Sequence, residues 1–192
     1  TNLVRGSFYY YATYVVNQDD LFVRSTNVVS ATTRAVAWSN FTETGLSPEQ
    51  WDLTGRWGVQ SNATEKFMTD SPDGVYSNSS DSWMSTSIRL TDIAWPLLRF
   101  KERYWIAQGD WTLLEVSTDG SGWTRVYGTA MGVQSNWTER VIDLSEWKNQ
   151  ANLRIRFRVA TDSYGVEDGW QIDDVRIEEH ARQLAVPLFE DM

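Results

Sequence analysis

Two aspartates stand side by side in the run GWQIDDVRI, near the end of a 192-residue chain. If Val175 and Ile177 point into a core, the two-residue period of a strand puts Asp173 on the same side. An ionised carboxylate there is costly unless it is paired or coordinates a metal. The pattern therefore raises a structural Ca²⁺ site in which Asp173 is joined by Glu43, Asp81 or a backbone carbonyl in an oxygen shell. The alternative is that Asp173 accepts backbone N–H groups from a neighbouring loop, with Asp174 turned toward solvent or an arginine. A second acidic stretch, Asp162, Glu167 and Asp168 with Gly165 and Gly169, lacks the spacing of an EF-hand loop and reads as a solvated turn or a weaker calcium loop.

Arg154, Arg156 and Arg158 alternate with Leu153, Ile155, Phe157 and Val159. Period two sends the apolar set to one face and the arginines to the other. The arginines either meet carboxylates across neighbouring strands or form a strip for an acidic polysaccharide or a partner's carboxylates. Aromatic residues are abundant, with 11 Trp, 8 Tyr and 7 Phe. Large rings fill the space between two packed sheets, and an exposed ring can also stack on the apolar face of a sugar. Trp105, Trp111, Trp123 and Trp137 lie beside turn signals and are the candidate stacking residues. Sequons for N-glycosylation, or simply polar loops, occur at Asn40, Asn62, Asn78 and Asn136.

Other chemistry is bounded by what the sequence lacks. The single histidine, His180, lies beyond the last strand pattern, so a Ser-His-Asp triad would hang on a peripheral residue. No H-E-x-x-H pair and no phosphate-cradling glycine loop occur. A glycosidase would need two carboxylates across a cleft, and Glu102 and Glu115 are the nearest approach to that. The chain is expected to be non-enzymatic. Its net charge of -9 repels a phosphate backbone, which disfavours nucleic acid as a partner. The absence of cysteine rules out disulfides and thiolate metal sites. No apolar run is long enough to span a bilayer. The chain reads as a mature or excised piece of a longer extracellular or cell-surface protein.

The elements that must position these groups are short strands between Gly, Asn, Asp and Ser turns. The pattern predicts strands over 56–59, 83–90, 97–106, 111–117, 124–127, 138–143, 153–160 and 170–177, with one short turn of helix within 144–150. Many short strands with little helix predict an all-β sandwich. Residues 1–40 form an N-terminal arm or the end of a preceding unit. Its Phe8–Val16 run reads as a strand, and 19–38 leans toward helix on spacing while its β-branched content argues for strands. The sandwich takes residues 41–179, and 180–192 form a C-terminal tail.

The order WDLTGRWGV, LRFKERYWI, DWTLLEVSTDGSGW, VIDLSEW, LRIRFRVATD and GWQIDDVRI resembles the MAM-like jelly-roll modules of secreted bacterial and archaeal proteins. These accompany immune-inhibitor-A type metallopeptidases and occur in surface adhesins. The resemblance covers roughly residues 41–178. It implies a jelly-roll sandwich of the galactose-binding-like kind without catalytic machinery, binding glycan or surface protein, in some relatives with a structural calcium ion. The hairpin EVSTDGSGW is similar to an aspartate box but brings its Trp one residue early, which implies a tighter turn. The leading expectation is a binding or adhesion module, with carbohydrate the first ligand class. The alternatives are a filament or layer subunit polymerising through residues 8–16 and an accessory domain of a secreted metallopeptidase.

Overall fold

The computed structural model describes residues 8–11, 14–16, 22–24, 29–32, 50–61 and 63–179. Contacts divide the chain into two units. The first holds two antiparallel pairs: β1 (Phe8–Tyr11) with β4 (Val29–Thr32), and β2 (Tyr14–Val16) with β3 (Phe22–Arg24). The helical lean over 19–38 is thus corrected. Phe22–Arg24 and Val29–Thr32 are strands, and the β-branched residues that disfavour helix prevail over the spacing. The Phe8–Val16 run, expected as one strand, holds two, Phe8–Tyr11 and Tyr14–Val16, each paired within the chain.

The second unit is a β-sandwich built from β5 (Asp52–Leu53), β6 (Gly58–Ser61), β7 (Lys66–Thr69), β8 (Asp81–Ile88), β9 (Pro96–Ser117), β10 (Thr124–Asp143), β11 (Leu153–Ala160) and β12 (Gly169–Glu179). A 3-10 turn at Ser145–Trp147 follows β10, where a short helical turn is expected. All strand pairs are antiparallel.

The hairpin of β9 and β10 is long enough to belong to both layers. The first half of β9 pairs with β12, and the second half pairs with β11. β10 follows β9 along its whole length. One layer therefore runs β5-β8-β11-β9-β10 through the second half of β9, and the other runs β6-β7-β12-β9-β10 through the first half. Strands that switch layers in this way make the corners of a jelly roll. At the corner, Ala107–Asp110 of β9 stand opposite Met131 alone on β10, and Gly109 takes φ 95°. The segments expected as four strands, 97–106, 111–117, 124–127 and 138–143, are the arms of these two bent strands. β5 and β7 were not anticipated.

The core confirms the two-layer packing. Phe157 on β11 meets Phe100 on β9 at 5.1 Å and Trp170 on β12 at 5.4 Å between ring centroids, both near edge-to-face. These rings join the layers, together with the buried Met84, Leu98, Leu114, Ile155 and Ile172. One buried charge sits among them. Glu102 is 0% exposed and faces the core. It accepts hydrogen bonds from the Tyr127 hydroxyl (2.6 Å), Arg140 Nε (2.7 Å) and Trp170 Nε1 (2.7 Å). Burial, then the bond to Glu102, pushes the Tyr127 hydroxyl pKa well above its usual value.

Candidate functional site

The outer face of the β5-β8-β11-β9-β10 layer carries the candidate site. Strand alternation and register decide what it displays. One cross-strand row is Ser85, Arg156, Glu115 and Arg125. The next is Trp83, Arg158, Leu113 and Gly128, and the third is Asp81, Ala160, Trp111 and Ala130. Small residues at Ser85, Gly128, Ala130 and Ala160 keep the floor low, so the side chains that stand up are indoles and arginines. Trp111 is 44% exposed. Trp83 and Trp123 are half-buried. Two strand spacings separate Trp83 from Trp111 by roughly 10 Å across the sheet, so an extended ligand could touch both.

Two of the rings are braced by one arginine. The Arg156 guanidinium lies 4.0 Å from the Trp123 ring centroid and 5.6 Å from that of Trp83. Arg156 Nε donates to Glu115 Oε2 at 2.6 Å. Glu115 is 7% exposed, and its other oxygen lies 3.5 Å from Arg158. Arg158 grips Asp81 with two bonds of 2.6 and 2.8 Å, and this pair holds the Asp81 pKa below the usual carboxylate range. Arg154 reaches Asp52 at 3.3 Å. The arginine ladder of β11 is thus matched by a carboxylate at every rung.

The turn that presents Trp123 is set by Asp119. Its Oδ1 accepts the backbone N–H groups of Ser121 (2.8 Å) and Gly122 (2.9 Å) and the Ser117 hydroxyl. These bonds hold its pKa far below the normal carboxylate value. The corner that presents Trp111 is set by its neighbour Asp110. That carboxylate accepts the Tyr76 hydroxyl (2.7 Å) and the Asp162 N–H (2.7 Å), while the Ala107 N–H donates to Tyr76.

Of the four tryptophans picked out by turn signals, Trp111 and Trp123 share this face. Trp105 lies on the outer face of the other layer, opposite Gly169 and Val133. Trp137 is on that same side, where its Nε1 bonds Glu65 and Arg103 packs between it and Phe67 at 4.4 and 4.9 Å. Trp83 was missed. Its place between Ser82 and Met84 in a strand is the signal that could have found it, because Met84 must be inward. Glu102 and Glu115 share no cleft, since one faces the core and the other the outer surface.

The expectation that Asp173 faces the core meets a correction in β12. Ile172, Val175 and Ile177 are all buried, so the period breaks between 172 and 175. The pairing with β9 slips between Asp173 and Arg176, and Asp174 takes φ 49°. This bulge turns Asp173 off the core face. Asp173 instead accepts the Asp174 N–H at 2.8 Å, and Asp174 pairs with Lys101. Asp81 lies on β8 in the other layer and is paired with Arg158. Glu43 lies outside the described residues, as do Asn40 and Asn62. Among the described residues no group of three or more acidic, histidine or cysteine side chains is arranged to hold a metal. Asn78 and Asn136 are both exposed.

No protein-family model matches the chain. Over 142 residues it is 29% identical to bacillopeptidase F of Bacillus subtilis (strain 168), a match that takes in 67% of this chain and 10% of that protein. The chain thus spans about a tenth of the length of the curated relative it matches. Among solved structures it is similar to TmCBM61 in complex with β-1,4-galactotriose (17% identity, 70% of this chain and 90% of that chain, TM-score 0.47). It is also similar to the K1 cleaved adhesin domain of Lys-gingipain from Porphyromonas gingivalis W83 (12% identity, 70% and 93%, TM-score 0.47). The topology described above rests on the strand pairing itself.

Proposed function

We propose that the sandwich is a non-catalytic glycan-binding module whose site is the outer face carrying Trp83, Trp111 and Trp123. The observation that carries this is the pattern of that face. Three indoles rise from a face whose neighbouring positions include Ser85, Gly128, Ala130 and Ala160, and two of them are braced before any ligand arrives. Trp123 and Trp83 are braced by Arg156, and the backbone corner that carries Trp111 is set by Asp110. A rigid ring pays little ordering entropy on stacking, and polar groups between the rings orient sugar hydroxyls. Arg156, Arg158 and Glu115 supply those donors and acceptors.

The module's affiliation with MAM-like jelly rolls belongs to the same reading. It is supported by EVSTDGSGW forming the β9-β10 hairpin and GWQIDDVRI forming the closing strand. A location outside the cell follows from that reading too. The similarity to bacillopeptidase F favours one further setting, in which this chain is an accessory module carried by a peptidase. The test of function is a glycan array on the purified chain, followed by Trp111→Ala and Trp83→Ala. Selective binding to one sugar class that both substitutions weaken is expected. A blank array from folded protein would overturn the reading.

A further inference from the structure

We infer that the ligand is an acidic glycan, with Arg125 reading a sugar carboxylate beside Trp111; this rests on the glycan reading above. Four arginines stand on the strands of the outer face, at 125, 154, 156 and 158, against three carboxylates, Asp52, Asp81 and Glu115. Glu115 is the direct cross-strand neighbour of Arg125 and would be its ordinary partner. Both Glu115 oxygens are committed elsewhere, one to Arg156 at 2.6 Å and the other to Arg158. Asp81 is taken by both bonds from Arg158, and Asp52 by Arg154. Asp119 on the nearby turn spends its Oδ1 on the turn's own N–H groups and the Ser117 hydroxyl, and it forms no ion pair with Arg125.

Arg125 therefore turns away along β10. It donates from its Nη2 to the Gly128 carbonyl at 3.1 Å, and its guanidinium carbon lies 5.5 Å from the Trp111 ring centroid. It is exposed, and no carboxylate among the described residues pairs with it. The backbone that offers this carbonyl requires a glycine: a Cβ added at Gly128 would lie 2.2 Å from the Thr112 carbonyl oxygen.

A guanidinium with no carboxylate partner among the described residues, beside the most exposed indole of the face, defines a ligand that offers an apolar ring and a carboxylate together. A uronic acid does so. A guanidinium keeps its charge at any working pH, and its planar fork matches a carboxylate. On a chain of net charge -9 the attraction has to be local, so it is strongest at contact and screened by salt.

The experiment compares polygalacturonate oligomers with their carboxyl-reduced neutral counterparts of the same linkage, by calorimetric titration of the whole chain at low and high salt. Poly-glutamate serves as a charge-only competitor. The uronate should bind roughly tenfold more tightly at low salt. That preference should shrink at high salt and vanish in Arg125→Gln, while the neutral oligomer binds Arg125→Gln and the parent chain alike. Trp111→Ala should weaken both ligands. Equal binding of the two oligomers by the parent chain, a preference that survives Arg125→Gln, or poly-glutamate displacing the uronate as well as the uronate itself, would each overturn the inference and leave the glycan reading standing. Binding of poly-glutamate alone would mark a protein partner and overturn both.

Discussion

Asp70 makes the stability of the sandwich depend on pH in an unusual direction. It is 3% exposed, between β7 and the loop that leads into β12. Its Oδ1 accepts the Trp170 N–H at 2.7 Å, and its Oδ2 has no hydrogen-bond partner. Burial pushes its pKa up to about 7; the neighbouring Asp168 adds to the rise, and the Trp170 N–H and Arg56 oppose it. The folded chain thus holds a proton that the unfolded chain, with an ordinary carboxylate near 3.8, releases. Between those values the folded state binds more protons, so stability falls as pH rises and levels off above about 7. Three pK units at about 1.4 kcal/mol each make the full cost on the order of 4 kcal/mol. Asp70→Asn keeps the acceptor for Trp170 and removes the charge. Melting followed by tryptophan fluorescence should show the two proteins alike near pH 4, with the variant ahead by roughly 10 °C near pH 8, at about 3 °C per kcal/mol for a domain of this size. Every other carboxylate is common to both and cancels in the difference. A difference that stays flat across this range, or that favours the parent at high pH, would refute the reasoning.

Three further outcomes are expected. Gly169 has φ 88°, and a Cβ there would lie 2.2 Å from Asp70 Oδ1, so Gly169→Ala should cost about 2–4 kcal/mol in denaturant melts. Glu102→Ala leaves the Arg140 charge and the Tyr127 and Trp170 donors without their shared acceptor; a loss of about 3–5 kcal/mol is expected, and a loss below about 1 kcal/mol would contradict the network described. Asp119→Ala releases the turn under Trp123, which should weaken glycan binding measured by titration while leaving the melting temperature nearly unchanged.

The strands that the sequence announced most clearly are those with strict alternation. Leu153–Ala160 is found over the same residues, because Leu, Ile, Phe and Val every second position can be satisfied only by one buried face. The closing strand was legible and its bulge was not. Asp173-Asp174 contains no glycine, and an aspartate at positive φ leaves no mark in the pattern. The long β9 and β10 looked like four strands because strand-like runs are interrupted at 107–110 and 128–137, whereas the chain bends there and continues its pairing. Glu102 sits in Lys101-Glu102-Arg103, a run that looks solvent-facing; only the partners supplied by β10 and β12 make it a core residue. The candidate site was half legible. Trp111 and Trp123 stood out beside turns, but their common face with Trp83 depends on pairings between β8, β11 and β9 that are distant in sequence. The β11 arginines were legible as a face, and their partners Asp52, Asp81 and Glu115 come from three other strands.

The most direct measurement is a titration of the isotope-labelled chain with a glycan that the array selects, following the indole N–H signals. The signals of Trp83, Trp111 and Trp123 should shift together along one saturation curve, while those of the buried Trp51, Trp57 and Trp170 stay in place. A bound glycan that moves Trp105 and Trp137 instead, leaving the first three unchanged, would place the site on the opposite face and contradict the reading.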